Sequence, residues 1–217
     1  MLQQRFEIPA FHITDCQIRE HLAPTQLIVL LHGYGETGAK IFKKCEPFLP
    51  KNAFVIAPNA PYPQVERTPN DIKVGFSWYF YDPRTDEYFI GPEISSLVLQ
   101  GLVERLNFAS LPVTLIGFSQ GGYLAPLAAK RIKNVRRVIG IGSTVLHHEF
   151  EFPISFELDL IHGDQDEIVH PEAAQQAHSD FLKKGGKGSF HLISGVGHRI
   201  TPEIQSRLGE LLEVSGP

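Results

Sequence analysis

Val113-Thr-Leu-Ile-Gly117-Phe-Ser119-Gln-Gly121-Gly122 is the stretch on which the fold of this 217-residue chain turns. Its first half, Val113–Gly117, is short and continuously apolar, as a strand buried on both faces should be. Its second half opens Gln120–Arg131, a segment of helical character. Between them, Gly117-Phe-Ser119-Gln-Gly121 matches G-x-S-x-G, a pattern that seats a serine on a tight strand-to-helix turn. Bulky residues two positions either side of that serine would collide with neighbouring backbone, and glycine supplies the clearance. The turn also aims the first N–H groups of the helix at the serine, where they can hold negative charge. A chain of this composition produces about 0.09 such matches by chance. The position at a strand–helix junction is therefore what gives the pattern its weight.

Outward from this turn, similar apolar runs recur at Leu27–Leu31, Ala53–Ala57, Arg137–Ile141, Glu157–Ile161 and Ser189–Ile193. Helix-like stretches lie between or after them: Glu93–Leu106, Pro171–Lys184 and Pro202–Glu213. Alternation of buried strands with helices predicts a mostly parallel sheet covered by helices on both faces. Phe6–Ile13 is a candidate antiparallel edge strand. With no repeat and no low-complexity linker, residues 1–217 read as one domain. Ser143–Phe156 is too short to hold a lid domain. Asn59–Ile94 is a long excursion carrying eight of the 22 aromatic residues, a density that argues for an ordered, functional loop.

A serine hydroxyl needs a base to become a nucleophile at neutral pH. In a sheet of this kind the expected chain order is Ser, then Asp or Glu, then His. Glu157–Ile161 runs into His162-Gly-Asp-Gln-Asp166, and Ser189–Ile193 runs into Ser194-Gly-Val-Gly-His198. Both lie beyond the carboxyl ends of strands, where open α/β sheets carry their sites. His198 is the candidate base. Two aspartates compete for the acid: Asp164, directly after a glycine turn, reads as a loop cap. Asp166 projects later and is favoured as the partner of His198. An oxyanion formed at Ser119 needs two donors. The Gln120 N–H is one, and the Tyr34 N–H in the loop His32-Gly-Tyr-Gly-Glu-Thr-Gly38 is the candidate for the other. That loop lacks the spacing of dinucleotide- or phosphate-binding glycine motifs. The histidines show no metal-ligand spacing, and neither a metal nor a cofactor is expected.

Leu31-His-Gly-Tyr-Gly-Glu-Thr-Gly38, Phe76-Ser-Trp-Tyr79, Gly117-Phe-Ser-Gln-Gly-Gly122, His162-Gly-Asp-Gln-Asp166 and Gly197-His198 together resemble the phospholipase/carboxylesterase family of α/β-hydrolases. That group includes acyl-protein thioesterases and lysophospholipases. The resemblance runs from about Thr25 to Glu213. It implies an α/β-hydrolase fold without a separate lid domain, Ser119, Asp166 and His198 as the triad, and Tyr34 and Gln120 at the oxyanion hole. It also implies cleavage of carboxylic esters or thioesters through an acyl-enzyme. The sequence departs from the family pattern at Glu36, at Trp78-Tyr-Phe-Tyr-Asp82 and at Pro126 within the helix after the nucleophile. Among the aromatics of the excursion, Phe76, Trp78 and Phe80 are the candidate wall of an acyl site.

Composition bounds the alternatives. The formal net charge is -4, with scattered basic residues, which offers no footprint for nucleic acid. No apolar run approaches the roughly 20 residues that span a bilayer, so no stable membrane insertion is expected. Two cysteines, Cys16 and Cys45, are too few for a disulfide framework, and the N-terminus lacks signal-peptide character. A cytoplasmic protein is expected, acting on a small-molecule, acylated or lipid ester. The competing readings are a peptidase or C–C hydrolase using the same triad, and a hydrolase-fold binding protein without catalysis.

Overall fold

The computed structural model describes residues 14–108 and 110–213. The elements in order are β1 (Cys16–Arg19), β2 (Gln26–Leu31), α1 (Gly38–Cys45), β3 (Ala53–Pro58), β4 (Tyr62–Thr68) and β5 (Asp71–Ser77). Next come β6 (Phe80–Asp82), β7 (Glu87–Ile90), α2 (Glu93–Arg105), β8 (Val113–Phe118), α3 (Gln120–Ala129) and β9 (Val135–Ile141). The chain continues through β10 (Glu157–Gly163), α4 (Pro171–Lys183), β11 (Phe190–Ile193) and α5 (Pro202–Glu213). Seven strands form one sheet in the order β1-β3-β2-β8-β9-β10-β11. Only β1 runs antiparallel, against β3. The other neighbours pair in parallel.

Alternation along the strands divides the core into two layers. Leu27, Val29 and Leu31 face one side, where α2, α3 and α4 contribute Leu99, Leu124 and Phe181. Ile28 and Leu30 face the other, against Ile41 of α1 and Ile204 and Leu208 of α5. Burial on both faces explains why these strands read as unbroken apolar runs. Strand order reverses between β2 and β8, so the loops that follow them diverge and open a crevice at the carboxyl edge.

Several expectations shift in detail. The antiparallel edge strand is Cys16–Arg19, while Phe6–Ile13 lies outside the described residues. The aromatic excursion is built as two antiparallel hairpins, β4–β5 and β6–β7. Helix α1, which the sequence reading did not single out, buries Ile41 and Cys45 on one face and is capped by Thr37, whose side chain accepts the Lys40 N–H. Helix α3 runs through Pro126 and stops at Ala129, two residues short of the sequence expectation. Cys16 and Cys45 are free. No helix among the described residues is long and apolar enough to cross a membrane.

Candidate active site

The turn after β8 has the geometry that its sequence demands. Ser119 adopts φ 50°, ψ -119°, a region costly for any residue with a side chain. The turn is held because the Ser119 N–H donates to Ile141 O at 2.9 Å, while Ser119 O accepts from Gly122 and Tyr123. A Cβ on Gly117 would collide with the Gly121 carbonyl, and one on Gly121 with the Leu31 carbonyl. Both glycines are thus explained by close backbone approach.

Three side chains from three strand ends meet here. His198 Nε2 lies 2.9 Å from Ser119 Oγ, and His198 Nδ1 lies 2.8 Å from Asp166 Oδ2. Asp166, 2% exposed, accepts the Ile168 and Val169 N–H groups on Oδ1 at 3.0 and 2.9 Å. Burial alone would push this carboxyl up. The Val169 N–H, the His198 contact and the Ile168 N–H outweigh it, and Asp166 is held below the usual carboxylate range. A carboxylate at Asp166 accepts the Nδ1–H of His198, which leaves Nε2 as a hydrogen-bond acceptor facing the Ser119 hydroxyl. Phe118 packs against the imidazole with ring centroids 5.1 Å apart. Asp164 does not reach His198. Its Oδ1 accepts the Gly195 N–H at 2.7 Å and so ties the β10 turn to the loop that carries the histidine.

The two expected oxyanion donors are unoccupied. Among the described residues no backbone carbonyl accepts the Tyr34 N–H, and Gln120, as the first residue of α3, has no intrahelical acceptor. The Tyr34 side chain is 58% exposed, its hydroxyl 3.4 Å from Gln64 Oε1. Of the three proposed wall residues, Phe76 and Phe80 are half-buried. Trp78 is 0% exposed and offers no surface to a substrate, which corrects the sequence expectation for it. Its indole N–H donates to His32 O at 2.9 Å, so the ring is committed to the core beside the glycine loop.

Four groups escaped the sequence reading. His32 is buried, accepts the Ala60 N–H on Nε2 at 3.0 Å and therefore donates from Nδ1 to Gly33 O at 2.8 Å. Burial lowers its pKa to about 4, against opposing effects from Gly33 O and Glu36. His162, also fully buried, has Nε2 2.7 Å from Val169 O and so braces the turn that presents Asp166. Gly142, at φ 54°, lies beneath the pair of acid and base: a Cβ there would stand 3.3 Å from Asp166 Oδ2 and 3.4 Å from His198 Nδ1. The Gln120 side chain bridges to residues 78 and 79. The sequence signal for His32 and His162 was their place at strand ends directly before glycines; nothing in the sequence marked Gly142 or the Gln120 side chain. Two cavities, of about 1230 and 400 Å³, lie away from these groups, and neither is lined by Ser119, Asp166 or His198. The larger one opens at the amino-terminal edge of the strands.

A parallel-sheet sandwich with a strained serine turn at its carboxyl edge and no separate lid domain defines an α/β-hydrolase. The chain belongs to the phospholipase/carboxylesterase family, whose model matches residues 17–214. Membership places it among ester and thioester hydrolases. It is 23% identical over 219 residues to acyl-protein thioesterase 1 homolog 2 of Dictyostelium discoideum, covering 91% of this chain and 96% of that protein. Its backbone superposes on esterase PE8 with a TM-score of 0.77 at 24% identity, covering 93% and 98% of the two chains. On Zea mays acyl-protein thioesterase 2 the TM-score is 0.75 at 19% identity, covering 94% and 99%. At these identities the structural likeness establishes the fold.

Proposed function

We propose that the protein is a serine hydrolase that cleaves carboxylic esters or thioesters through an acyl-enzyme on Ser119. The observation that carries this reading is the unbroken line Asp166 Oδ2–His198 Nδ1, His198 Nε2–Ser119 Oγ, at 2.8 and 2.9 Å. In the first half-reaction Ser119 Oγ attacks the acyl carbon while His198 Nε2 takes its proton. Asp166 stabilises the imidazolium that forms and keeps the ring in orientation. The Tyr34 and Gln120 N–H groups receive the oxyanion. Collapse expels the alcohol or thiol, which takes the proton from His198. A water molecule, deprotonated by the same nitrogen, then attacks the acyl-enzyme and releases the carboxylic acid.

For the substrate, we assign the acyl group to the half-buried faces of Phe76 and Phe80, without Trp78. Exposed Tyr34 and Ile168 stand on the loops that carry the proposed oxyanion donor and the acid. An open site of this kind suits acyl groups on large carriers as well as small esters. The test is a p-nitrophenyl ester series from acetyl to palmitoyl, run beside an acyl thioester and a lysophospholipid, with Ser119→Ala as the blank. Turnover lost in Ser119→Ala, with efficiency rising toward longer chains, is the expected result. Turnover unaffected by Ser119→Ala, or no labelling of Ser119 by a fluorophosphonate, would refute the mechanism.

A further inference from the structure

Trp78 sits where the two oxyanion donors are linked to one another. Every polar group on it is engaged. Its backbone N–H donates to Gln120 Oε1 at 2.8 Å, its indole N–H donates to His32 O at 2.9 Å, and its carbonyl accepts the Ser95 hydroxyl from α2. Gln120 closes the connection from the other side, since its Nε2 donates to Tyr79 O at 2.8 Å. The amide of Gln120 thus grips residues 78 and 79 with both ends, while its own backbone N–H, at the first position of α3 directly after Ser119, has no intrahelical acceptor. On the opposite flank, the segment before Trp78 clasps the glycine loop. The Gly35 N–H donates to Phe76 O and the Phe76 N–H to Glu36 O, each at 2.9 Å. The His32 ring lies tilted against the indole with centroids 5.0 Å apart.

We infer that Trp78 and the Gln120 side chain form a latch that sets the spacing between the Tyr34 and Gln120 N–H donors. They are positioning residues for the transition state, and they make no contact with substrate. The inference rests on the serine-hydrolase reading above. It follows from the physical demands on an oxyanion hole: two donors on separate loops stabilise the developing charge only if their separation is fixed beforehand. The glycine loop after β2 is anchored at its ends by His32 and Glu36, while Tyr34, which stands between them, has an exposed side chain. The latch supplies that rigidity from a neighbouring segment, through hydrogen bonds that are buried at the Trp78 indole and carbonyl and part-buried at the Gln120 amide. It also gives a reason for the only tryptophan to stand, fully buried, in a loop excursion rather than in a strand or helix.

Two variants test it. Trp78→Phe keeps an aromatic ring and removes the indole donor; Gln120→Met keeps the side-chain length and removes both of its hydrogen bonds while leaving the backbone N–H. For each, kcat and KM on a p-nitrophenyl ester are measured beside the inhibition constant of a trifluoromethyl ketone, whose serine adduct carries an oxyanion. A misplacement of about 1 Å costs on the order of 100-fold in rate, so kcat should fall between about 10- and 100-fold. KM should stay within about threefold, and the ketone should weaken in step with kcat/KM. Wild-type kcat and ketone affinity in Gln120→Met would overturn the latch, even if the melting temperature dropped. A rise in KM at unchanged kcat would overturn it too, and would return these residues to substrate binding. If Trp78→Phe does not fold, Gln120→Met decides alone. Absence of Ser119-dependent turnover in the wild type would overturn both the latch and the function beneath it, whereas normal wild-type turnover with unaffected variants would remove the latch only.

Discussion

Replacing Asp166 with Asn probes the site at its most sensitive point, because the buried carboxylate has acceptors on both sides and no donor to give. Oδ1 accepts the Ile168 and Val169 N–H groups, and Oδ2 faces His198 Nδ1. An Asn can keep only one oxygen. Two backbone donors at 3.0 and 2.9 Å claim it, so the amide NH2 turns toward Nδ1. Nδ1 must then accept, the imidazole proton moves to Nε2, and the nitrogen facing Ser119 can no longer take the hydroxyl proton. The wrong tautomer in an otherwise intact triad costs about 10,000-fold in kcat. That corresponds to about 5 kcal/mol of lost transition-state stabilisation. Asp164→Asn is the control: among the described residues its Oδ1 accepts the Gly195 N–H alone, which an Asn oxygen also does, so activity should fall by no more than about threefold. The assay is kcat/KM on a p-nitrophenyl ester for both variants across pH 6–9, with circular dichroism to establish folding. Asp166→Asn within tenfold of wild type, or equal losses in the two variants, would refute the assignment of the acid and the tautomer argument with it.

Other perturbations follow from the same geometry. Ser119→Gly should abolish turnover and raise stability by about 1–2 kcal/mol in urea unfolding, because glycine adopts φ 50° without the strain borne by a serine. Gly142→Ala should lower kcat by at least tenfold and destabilise by about 1 kcal/mol, since the new methyl meets a positive φ and presses on Asp166 and His198. His32, pushed down to about 4 by burial, binds a proton in the unfolded chain before it does in the folded one. Its contribution of about 3 kcal/mol is therefore present above pH 6.5 and lost as pH falls from 6.5 toward 4. Urea unfolding at pH 7 and pH 5 should show a larger drop for wild type than for His32→Gln. The Asp166 carboxyl, held low, contributes stability above the ordinary carboxylate range that disappears as pH falls through its lowered value, and Asp166→Asn should flatten acid unfolding there.

How much of this was legible depended on whether the constraint was local. Strands buried on both faces leave continuous apolar runs, so β2, β3, β8, β9 and β10 could be placed within a few residues; β11, a partly exposed edge strand, was placed by its short apolar run alone. The serine turn was legible because the backbone contacts at Gly117 and Gly121 leave room for nothing larger than glycine. His198 and Asp166 were legible because each follows a strand closely. The excursion was not. Its rings read as a pocket wall, but β4 and β5 pair with one another and leave Val65, Ile72 and Val74 exposed, while Trp78 turns into the core. Burial of a tryptophan in a loop is decided by distant partners, here His32, Ser95 and Gln120, and composition holds no record of them. The role of the Gln120 side chain was hidden for the same reason.

Sheet order explains why the site needs a bare residue at the end of β9. Ser119 follows β8, Asp166 follows β10 and His198 follows β11, so β9 and β10 stand between the serine and the histidine. Strands lie about 4.8 Å apart, which puts the ends of β8 and β11 about 14 Å from each other. An imidazole on an extended continuation of β11 would fall far short of Ser119. Instead the 194–198 loop folds back across the sheet edge, fastened by Asp164 to the Gly195 N–H and by the Gln165 N–H to Val196 O. The histidine then lies over the end of β9, where Gly142 donates to Ile161 O and presents no side chain. This return path also separates the two aspartates. Asp164 is still in line with β10 and meets the start of the returning loop, whereas Asp166, after a further turn held by Ile168 and Val169, reaches its end. The proposed mechanism therefore takes the second aspartate as its acid, because there the carboxylate meets the imidazole after it has crossed back toward the serine.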